Sequence, residues 1–143
     1  GTFNACKAAF PLLSKQGGNI INISATLQYT GTPMQIHASS AKAGIDALTR
    51  NLAVEWGGAG IRVNAVAPGP IDDTAGMSKL APGDVKAKLS KQIPLSRFGT
   101  CREIADSVVF LVSPASSYTT GSILVVDGGQ WIATAGLGSI ASF

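Results

Sequence analysis

The sequence contains few of the residues that build metal centres, disulfide frameworks or nucleic-acid-binding surfaces. It has one histidine, His37, and two cysteines, Cys6 and Cys101, which form no CxxC pair. We therefore expect no metal site, no structural disulfide and a reducing compartment. Only 13% of the residues are charged, and the 11 basic residues are scattered singly along the chain. Nucleic-acid-binding proteins cluster such residues in a patch or stripe, so we expect no nucleic-acid partner.

Long hydrophobic runs are also missing. No apolar run reaches the roughly 20 residues that a membrane-spanning helix needs, so we expect no membrane span. The sequence opens on Gly1 without a signal-peptide pattern and closes on Phe143 without a sorting tripeptide. We expect both ends to be cut. An apolar content of 45% nevertheless supports a packed core and argues against disorder.

Apolar residues alternate along the chain between helical spacing and short strand-like runs. The spacing predicts helices over 2–16, 38–56 and 101–112 and strands over 19–23, 61–66 and 122–126. A polar, proline-containing stretch over 72–91 is expected to hold one short helix after Pro82. Strands separated by helices of this length are typical of βαβ units, with a parallel sheet covered on both faces. Residues 1–143 show no linker, and we interpret them as one α/β domain with few strands.

Two of the predicted helices carry an apolar face that we expect to be buried. In the helix over 38–56 that face consists of Ala41, Ile45, Leu48 and Leu52. In the helix over 101–112 it consists of Ile104, Ala105, Val108, Val109 and Leu111.

Six short motifs, in order and with consistent spacing, resemble the short-chain dehydrogenase/reductase family. They are NIINIS at 19–24, SAKAG at 40–44, NLAVE at 51–55, IRVN at 61–64, PGPI at 68–71 and DGG at 127–129. The resemblance implies a Rossmann-like, doubly wound parallel sheet that binds NAD(H) or NADP(H). Neither GxGxxG nor GxxxGxG occurs in the chain. We therefore expect the C-terminal portion of the fold, without the N-terminal phosphate-binding half and inactive by itself.

The chain departs from the family at two catalytic positions. Counting back from Lys42, the family's tyrosine position holds Ala38 and its serine position holds Ala25. Asp46 lies one helical turn after Lys42, so both side chains project from the same helix face. This arrangement resembles the peroxisomal 2,4-dienoyl-CoA reductase branch, which implies that Lys42 and Asp46 are the catalytic residues. The alternative is that the two residues form an ordinary helical ion pair.

The resemblance also implies a reaction. In that branch, NADPH reduces a 2,4-dienoyl-CoA to a 3-enoyl-CoA during the β-oxidation of unsaturated fatty acids. Charge builds on the thioester oxygen and needs stabilisation there, while a water held by Asp46 could deliver the proton to carbon. The location implied is peroxisomal, or otherwise cytosolic.

Further site residues follow from the same resemblance. Lys42 is expected to bond the nicotinamide ribose, and the turn after the second strand is expected to lie against the nicotinamide. The cofactor-binding residues of this turn are Pro68, Gly69, Pro70, Ile71 and Thr74. Lys79 is expected to contact a phosphate of the acyl-CoA substrate. Small residues on the helix over 38–56 suit the helix–helix contacts of a homo-oligomer, a dimer or a tetramer.

Two other side chains near the tyrosine position carry a proton that they could donate. His37 directly precedes the tyrosine position, so its side chain should point elsewhere, and we expect it to cap or to lie in a loop. Tyr29 lies in the loop after the first strand. A mitochondrial branch of dienoyl reductases uses a tyrosine from this loop, but its position corresponds to Leu27 here, so Tyr29 is not assigned to the site.

Two alternatives stay open. One is another reductase of the same fold, such as a 3-oxoacyl thioester reductase, against which Ala38 argues because alanine cannot donate a proton. The other is a reductase-like domain that binds a partner without catalysis.

Overall fold

A computed structural model describes residues 1–72, 74, 77 and 84–134. Its helices are α1 (Thr2–Leu13), α2 (Leu27–Thr30), α3 (Ile36–Trp56), α4 (Asp84–Ser90), α5 (Cys101–Val112) and α6 (Gln130–Thr134). Its strands are β1 (Gly18–Ile23), β2 (Ile61–Pro68) and β3 (Ile123–Val126). Short 3₁₀ turns cover Gly57–Ala59 and Pro114–Ser116. Every predicted element is present, with most boundaries within one to three residues.

The three strands form one parallel sheet in the order β1-β2-β3. Gly18 pairs with Ile61 at the start of the first ladder, and Pro68 pairs with Val126 at the end of the second. The central strand is the core of the sheet: Val63, Ala65, Val66 and Ala67 are each 0% exposed. The predicted α/β, Rossmann-like architecture is confirmed. Because all strands run the same way, their carboxyl ends meet at one edge, where such sheets bind ligands.

Helix α3 packs on the sheet through a face that only partly overlaps the one that its apolar residues predict. Leu52 is 6% exposed and Leu48 packs against the same core, so the prediction is confirmed for these two residues. It is wrong for Ala41, which is exposed, while Ile45 is only partly buried. The buried residues of α3 are Asp46, Thr49, Leu52 and Ala53.

A polar contact explains this rotation of the helix. The Asn22 side-chain amide of β1 donates to the Thr49 hydroxyl at 2.9 Å, and that hydroxyl donates to the Ile45 carbonyl at 2.8 Å. Both side chains are buried, so each needs this partner. The contact turns the face that carries Lys42, Asp46 and Thr49 toward the sheet.

Helix α5 has the predicted boundaries and begins with a capping box. The Thr100 hydroxyl accepts from the Glu103 amide at 3.2 Å, and the Glu103 carboxylate accepts from the Thr100 amide at 2.8 Å. Leu111 is 1% exposed, as predicted, but Val109 is 61% exposed. Ala105 is exposed as well. The predicted buried face of α5 was therefore too wide, because a helix on one side of a three-stranded sheet buries only a narrow stripe of side chains.

Within the described ranges, no helix combines the length and the apolar character needed to cross a bilayer. The same residues hold no cluster of three side chains suited to a metal ion. Cys6 is buried and Cys101 is exposed, and both are free thiols.

The first testable prediction concerns Gly69, which begins the turn after β2. A methyl group at this position would lie 2.5 Å from the Asp127 Cβ and 2.8 Å from its Cα. Gly69→Ala should therefore destabilise the protein by about 1–3 kcal/mol, the usual cost of overpacking. Urea denaturation measures this change.

The matched control is Gly44→Ala in α3, where an added methyl group meets nothing within 4 Å. Alanine in a helix interior should raise the free energy of unfolding by about 0.5–1 kcal/mol. If Gly69→Ala left the free energy of unfolding unchanged or raised it, the close approach of Gly69 to Asp127 would be refuted.

The second prediction concerns the contact that orients α3. Thr49→Val keeps the side-chain shape but removes the acceptor of the buried Asn22 amide, and should cost about 1–3 kcal/mol. Thr30→Val, at an exposed threonine, should stay within about 0.5 kcal/mol of the parent. Equal effects in thermal or urea unfolding would show that the Asn22–Thr49 bond does not stabilise the packing of α3.

Candidate active site

The candidate site lies where β1 ends and α3 crosses the carboxyl edge of the sheet. Ser24 directly follows β1, and its amide extends the ladder by donating to the Val66 carbonyl at 2.8 Å. Lys42 and Asp46 stand one turn apart on the α3 face that packs toward the sheet. The helix spacing predicted by the sequence therefore places the amine and the carboxylate side by side at this edge.

The Asp46 carboxylate is buried, with 4% exposure. Its Oδ1 accepts a hydrogen bond from the Ser24 hydroxyl. Its Oδ2 accepts two, from Gln28 Nε2 at 3.0 Å and from the Tyr29 hydroxyl at 2.8 Å. Three protein donors thus replace the water that a buried carboxylate loses.

Lys42 makes a different contact from the one that the ion-pair alternative requires. Its Nζ donates to the Ile23 carbonyl at 2.7 Å, at the last residue of β1. In the described part of the chain, the three ion pairs join other residues, and none links Lys42 to Asp46. One of the three ammonium donors is used by the carbonyl, so two remain for a ligand.

Tyr29 is the site residue that sequence reasoning left unassigned. The one-turn helix α2 carries it back over α3, where its hydroxyl meets Asp46. Burial, followed by the hydrogen bond to Asp46, raises the pKa of Tyr29 to about 12. Its ring contacts that of Trp131 in α6, with centroids 5.4 Å apart and planes tilted by 59°. The only sequence signal was a tyrosine in the right loop, two residues from the position expected for the mitochondrial branch.

Gln28 adds a second contact of α2 to the carboxylate. Its Nε2 lies 3.3 Å from the Ser24 hydroxyl as well as 3.0 Å from Asp46. The other amide atom, Oε1, is buried without a hydrogen-bond partner in the described residues. His37 lies exposed in the first turn of α3. The expected loop or capping position was therefore wrong, because the helix begins two residues earlier than predicted, at Ile36, and its N-cap residue is Gln35.

The turn after β2 is held by backbone pairing. The Gly69 amide donates to the Val126 carbonyl at 3.0 Å, and the Pro70 carbonyl accepts from the Gly99 amide at 3.0 Å. Ile71 forms a bridge with Gly99. The Thr74 hydroxyl donates to the Ile71 carbonyl at 3.1 Å. The predicted cofactor-binding turn is thus an ordered edge of the sheet, while Lys79 lies outside the described residues.

A pocket opens on the α5 side of this turn. Its lining includes Ile71, Gly99, Ile104 and Val126, and the Arg97–Glu103 ion pair stands at its wall. The hydrogen bond from Arg97, followed by those from Thr100, lowers the pKa of Glu103 to about 2. Neither Lys42 nor Asp46 lines this pocket, so it is separate from the carboxylate cluster.

The hydrogen-bond donors of the site show which part of a dinucleotide it could hold. Lys42 has two ammonium donors left at the carboxyl edge of the sheet, which suits the hydroxyls of a ribose. Gly69 lets the turn backbone pack directly against Asp127. The chain contains no glycine-rich phosphate loop. The donors present therefore fit the ribose of such a cofactor, and its phosphates need groups from elsewhere.

Comparison with known proteins identifies relatives of the chain. The profile of the family described as Enoyl-(Acyl carrier protein) reductase matches residues 1–130. The chain is 53% identical to the peroxisomal 2,4-dienoyl-CoA reductase of Saccharomyces cerevisiae over 92% of its own length and 45% of the relative's. It is 48% identical to the corresponding enzyme of Pongo abelii, over 100% of its own length and 51% of the relative's.

More distant relatives share the fold. A 3-oxoacyl-[acyl-carrier-protein] reductase of Thermotoga maritima is 39% identical over 90% of this chain and 52% of its own length. The crystal structure of a short chain dehydrogenase from Bacillus anthracis superposes with a TM-score of 0.77 and 39% identity, covering 90% of this chain and 50% of that one. The chain spans about half the length of the curated relatives it matches. With this match and its parallel sheet, the chain belongs to the short-chain dehydrogenase/reductase family.

Proposed function

We propose that the full-length protein reduces 2,4-dienoyl-CoA thioesters to 3-enoyl-CoA thioesters with NADPH. The observation that carries the proposal is the buried Asp46 carboxylate, held by three donors one turn after Lys42. Alanine occupies the neighbouring position 38, where carbonyl reductases of this family carry a phenol. A site with this pair and without that phenol suits a conjugated thioester better than a ketone.

The chemistry of a dienoyl thioester fits these groups. When bound, NADPH would supply a hydride to the far end of the conjugated system, and the negative charge to be stabilised would lie on the thioester oxygen. Lys42 contributes positive charge beside the reacting groups, where negative charge develops, while its two remaining donors serve the ribose. Its contact with the Ile23 carbonyl at 2.7 Å fixes the ammonium at the end of β1.

Asp46 completes the reaction by holding the proton source. A carboxylate offers about four lone-pair sites, and protein donors fill one on Oδ1 and two on Oδ2. The remaining site is on Oδ1, and we propose that it binds the water that protonates carbon. Asp46 thereby acts as an anchor for water while its own charge stays buried.

The remaining assignments belong to the same proposal. The nicotinamide side of the site consists of Pro68, Gly69, Pro70, Ile71 and Thr74. Lys79 binds a phosphate of the acyl-CoA.

The chain forms part of an NADP-binding domain whose phosphate loop comes from the rest of the protein. By analogy with its relatives the protein is peroxisomal. The exposed Ala41 and Ala43 of α3 offer small side chains for close packing in a homo-oligomer.

The second candidate function is reduction of a 3-oxoacyl thioester, which the likeness to the Thermotoga maritima reductase favours. That reaction needs a proton donor at the ketone oxygen. The donors described at the site are committed to Asp46 or to the Ile23 carbonyl, apart from the remaining ammonium protons of Lys42. A non-catalytic domain is the third candidate, and saturable NADPH binding by the full-length protein would refute it.

The third prediction tests the substrate. Full-length protein with NADPH should turn over 2,4-dienoyl-CoA with a kcat/KM at least ~100-fold above that for a 3-oxoacyl-CoA of equal chain length, because a general acid contributes at least that factor to ketone reduction. The loss of NADPH absorbance measures the rate with each substrate, and identification of the product shows which reaction has occurred. A 3-oxoacyl substrate that reacts equally well would contradict the proposal.

The fourth prediction tests the two side chains. Lys42→Ala should raise the KM for NADPH and lower kcat, since the lysine serves both the ribose and the developing charge. Asp46→Asn should lower kcat by at least about tenfold and cost about 1–3 kcal/mol of stability, because the neutral amide has one acceptor oxygen where the carboxylate has two, and its nitrogen accepts no hydrogen bond.

Exposed residues of the same type give the controls. Lys7→Ala and Asp106→Asn alter a lysine of α1 and an aspartate of α5 that face solvent, and should leave kcat and KM unchanged. Full dienoyl-CoA turnover after both Lys42→Ala and Asp46→Ala would refute the assignment of these residues.

A further inference from the structure

We propose that Tyr29 is a positioning residue that orients the Asp46 carboxylate and joins it, through Trp131, to the turn after β2. The proposal rests on the function proposed above and adds to it a residue outside the Lys42–Asp46 pair. Two contacts carry it: the hydroxyl of Tyr29 on the carboxylate and the ring of Tyr29 on the tryptophan of α6.

The hydroxyl determines which carboxylate oxygen meets a ligand. A phenol has one proton, and Tyr29 donates it to Asp46 Oδ2 at 2.8 Å. Gln28 Nε2 donates to the same oxygen at 3.0 Å, so Oδ2 has both of its acceptor sites filled. Oδ1 accepts only from Ser24. Tyr29 thus leaves Oδ1 as the oxygen that can bind water.

The protonation state of Tyr29 suits a group that donates a hydrogen bond and keeps its proton, not one that transfers a proton to substrate. Burial, the hydrogen bond to Asp46 and the charge of Asp46 raise its pKa to about 12, against a smaller opposing effect of Arg50. The phenol therefore keeps its proton throughout the neutral range. Its proton is directed at Asp46, so Tyr29 acts on the reaction through the carboxylate.

The ring connects the carboxylate to the other half of the site. Tyr29 packs on Trp131 with ring centroids 5.4 Å apart. The Trp131 amide donates to the Asp127 carboxylate at 2.8 Å, and Asp127 lies against Gly69 with no room for a methyl group between them. A continuous series of contacts therefore runs from Asp46 to the turn that begins at Gly69.

The kinetic test uses two matched variants of the full-length protein. Tyr29→Phe removes only the hydroxyl and should lower kcat for 2,4-dienoyl-CoA about tenfold, the effect of losing one hydrogen bond to a charged group. The KM for NADPH should not change, because Lys42 is untouched. Tyr118→Phe makes the same deletion at a tyrosine that is 104% exposed and should change neither constant.

A double variant separates positioning from a general structural effect. If Tyr29 acts through Asp46, Tyr29→Phe should lower kcat no further when Asp46→Asn is already present. An unchanged kcat in the single variant would overturn the proposal. An equal loss in both backgrounds would overturn it as well, since Tyr29 would then act independently of the carboxylate.

A titration tests the same contacts without any substrate. The phenolate absorbance of Tyr29, taken as the difference between the protein and its Tyr29→Phe variant, should have a midpoint well above 10 that falls in Asp46→Asn. It should also fall in Trp131→Leu, because burial is the largest cause of the shift. An unchanged midpoint in Asp46→Asn would overturn the contact between Tyr29 and the carboxylate. An unchanged midpoint in Trp131→Leu would overturn the link between Tyr29 and α6.

The two measurements distinguish the two proposals. If the unaltered protein fails to reduce 2,4-dienoyl-CoA, the proposed function fails, and the titration still decides the placement of Tyr29. If the protein is active and the midpoint does not move, the function stands and the role of Tyr29 is refuted. Should Tyr29→Phe fail to fold, Asp46→Asn and Trp131→Leu keep Tyr29 in place, and the difference in phenolate absorbance between each variant and the unaltered protein reports the titration.

Discussion

A carboxylate cannot leave water unless hydrogen-bond donors take the place of its hydration, and Asp46 is only 4% exposed. Its donors come from Ser24 at the end of β1 and from Gln28 and Tyr29 in α2. The path of the chain between β1 and α3 is therefore fixed by hydrogen bonds to one carboxylate. The candidate site depends on that interaction, because the same donors decide which carboxylate oxygen remains open.

The rotation of α3 obeys a related constraint. The periodicity of Ala41, Ile45, Leu48 and Leu52 predicted an apolar face, yet the helix buries Asp46 and Thr49 together with Leu52 and leaves Ala41 exposed. The Asn22 amide of β1 is itself buried and bonds Thr49 at 2.9 Å. An unpaired buried amide costs more than partial exposure of an aliphatic side chain. The polar contact therefore outweighs the hydrophobic pattern and turns Lys42 and Asp46 toward the sheet.

The second half of the site follows from backbone packing. The turn at Gly69 lies so close to Asp127 that no side chain fits between them, and the Asp127 carboxylate accepts from the amides of Gly129 and Trp131. A glycine and an aspartate far apart in sequence thus fix the start of α6 beside the turn after β2. Through Trp131 and Tyr29 this packing reaches Asp46, which makes the two halves one structural unit.

The sequence by itself determined the order of helices and strands, the parallel sheet and the family, since periodicity and ordered motifs report on local structure. It also placed Lys42 and Asp46 side by side, because four residues make one turn of a helix. Only the tertiary structure decided that Tyr29 bonds Asp46 and that Lys42 bonds the Ile23 carbonyl. Those contacts depend on the path of residues 24–35, and no periodicity in the sequence predicts that path. The path is stabilised by the hydrogen bonds that Ser24, Gln28 and Tyr29 donate to the buried Asp46 carboxylate.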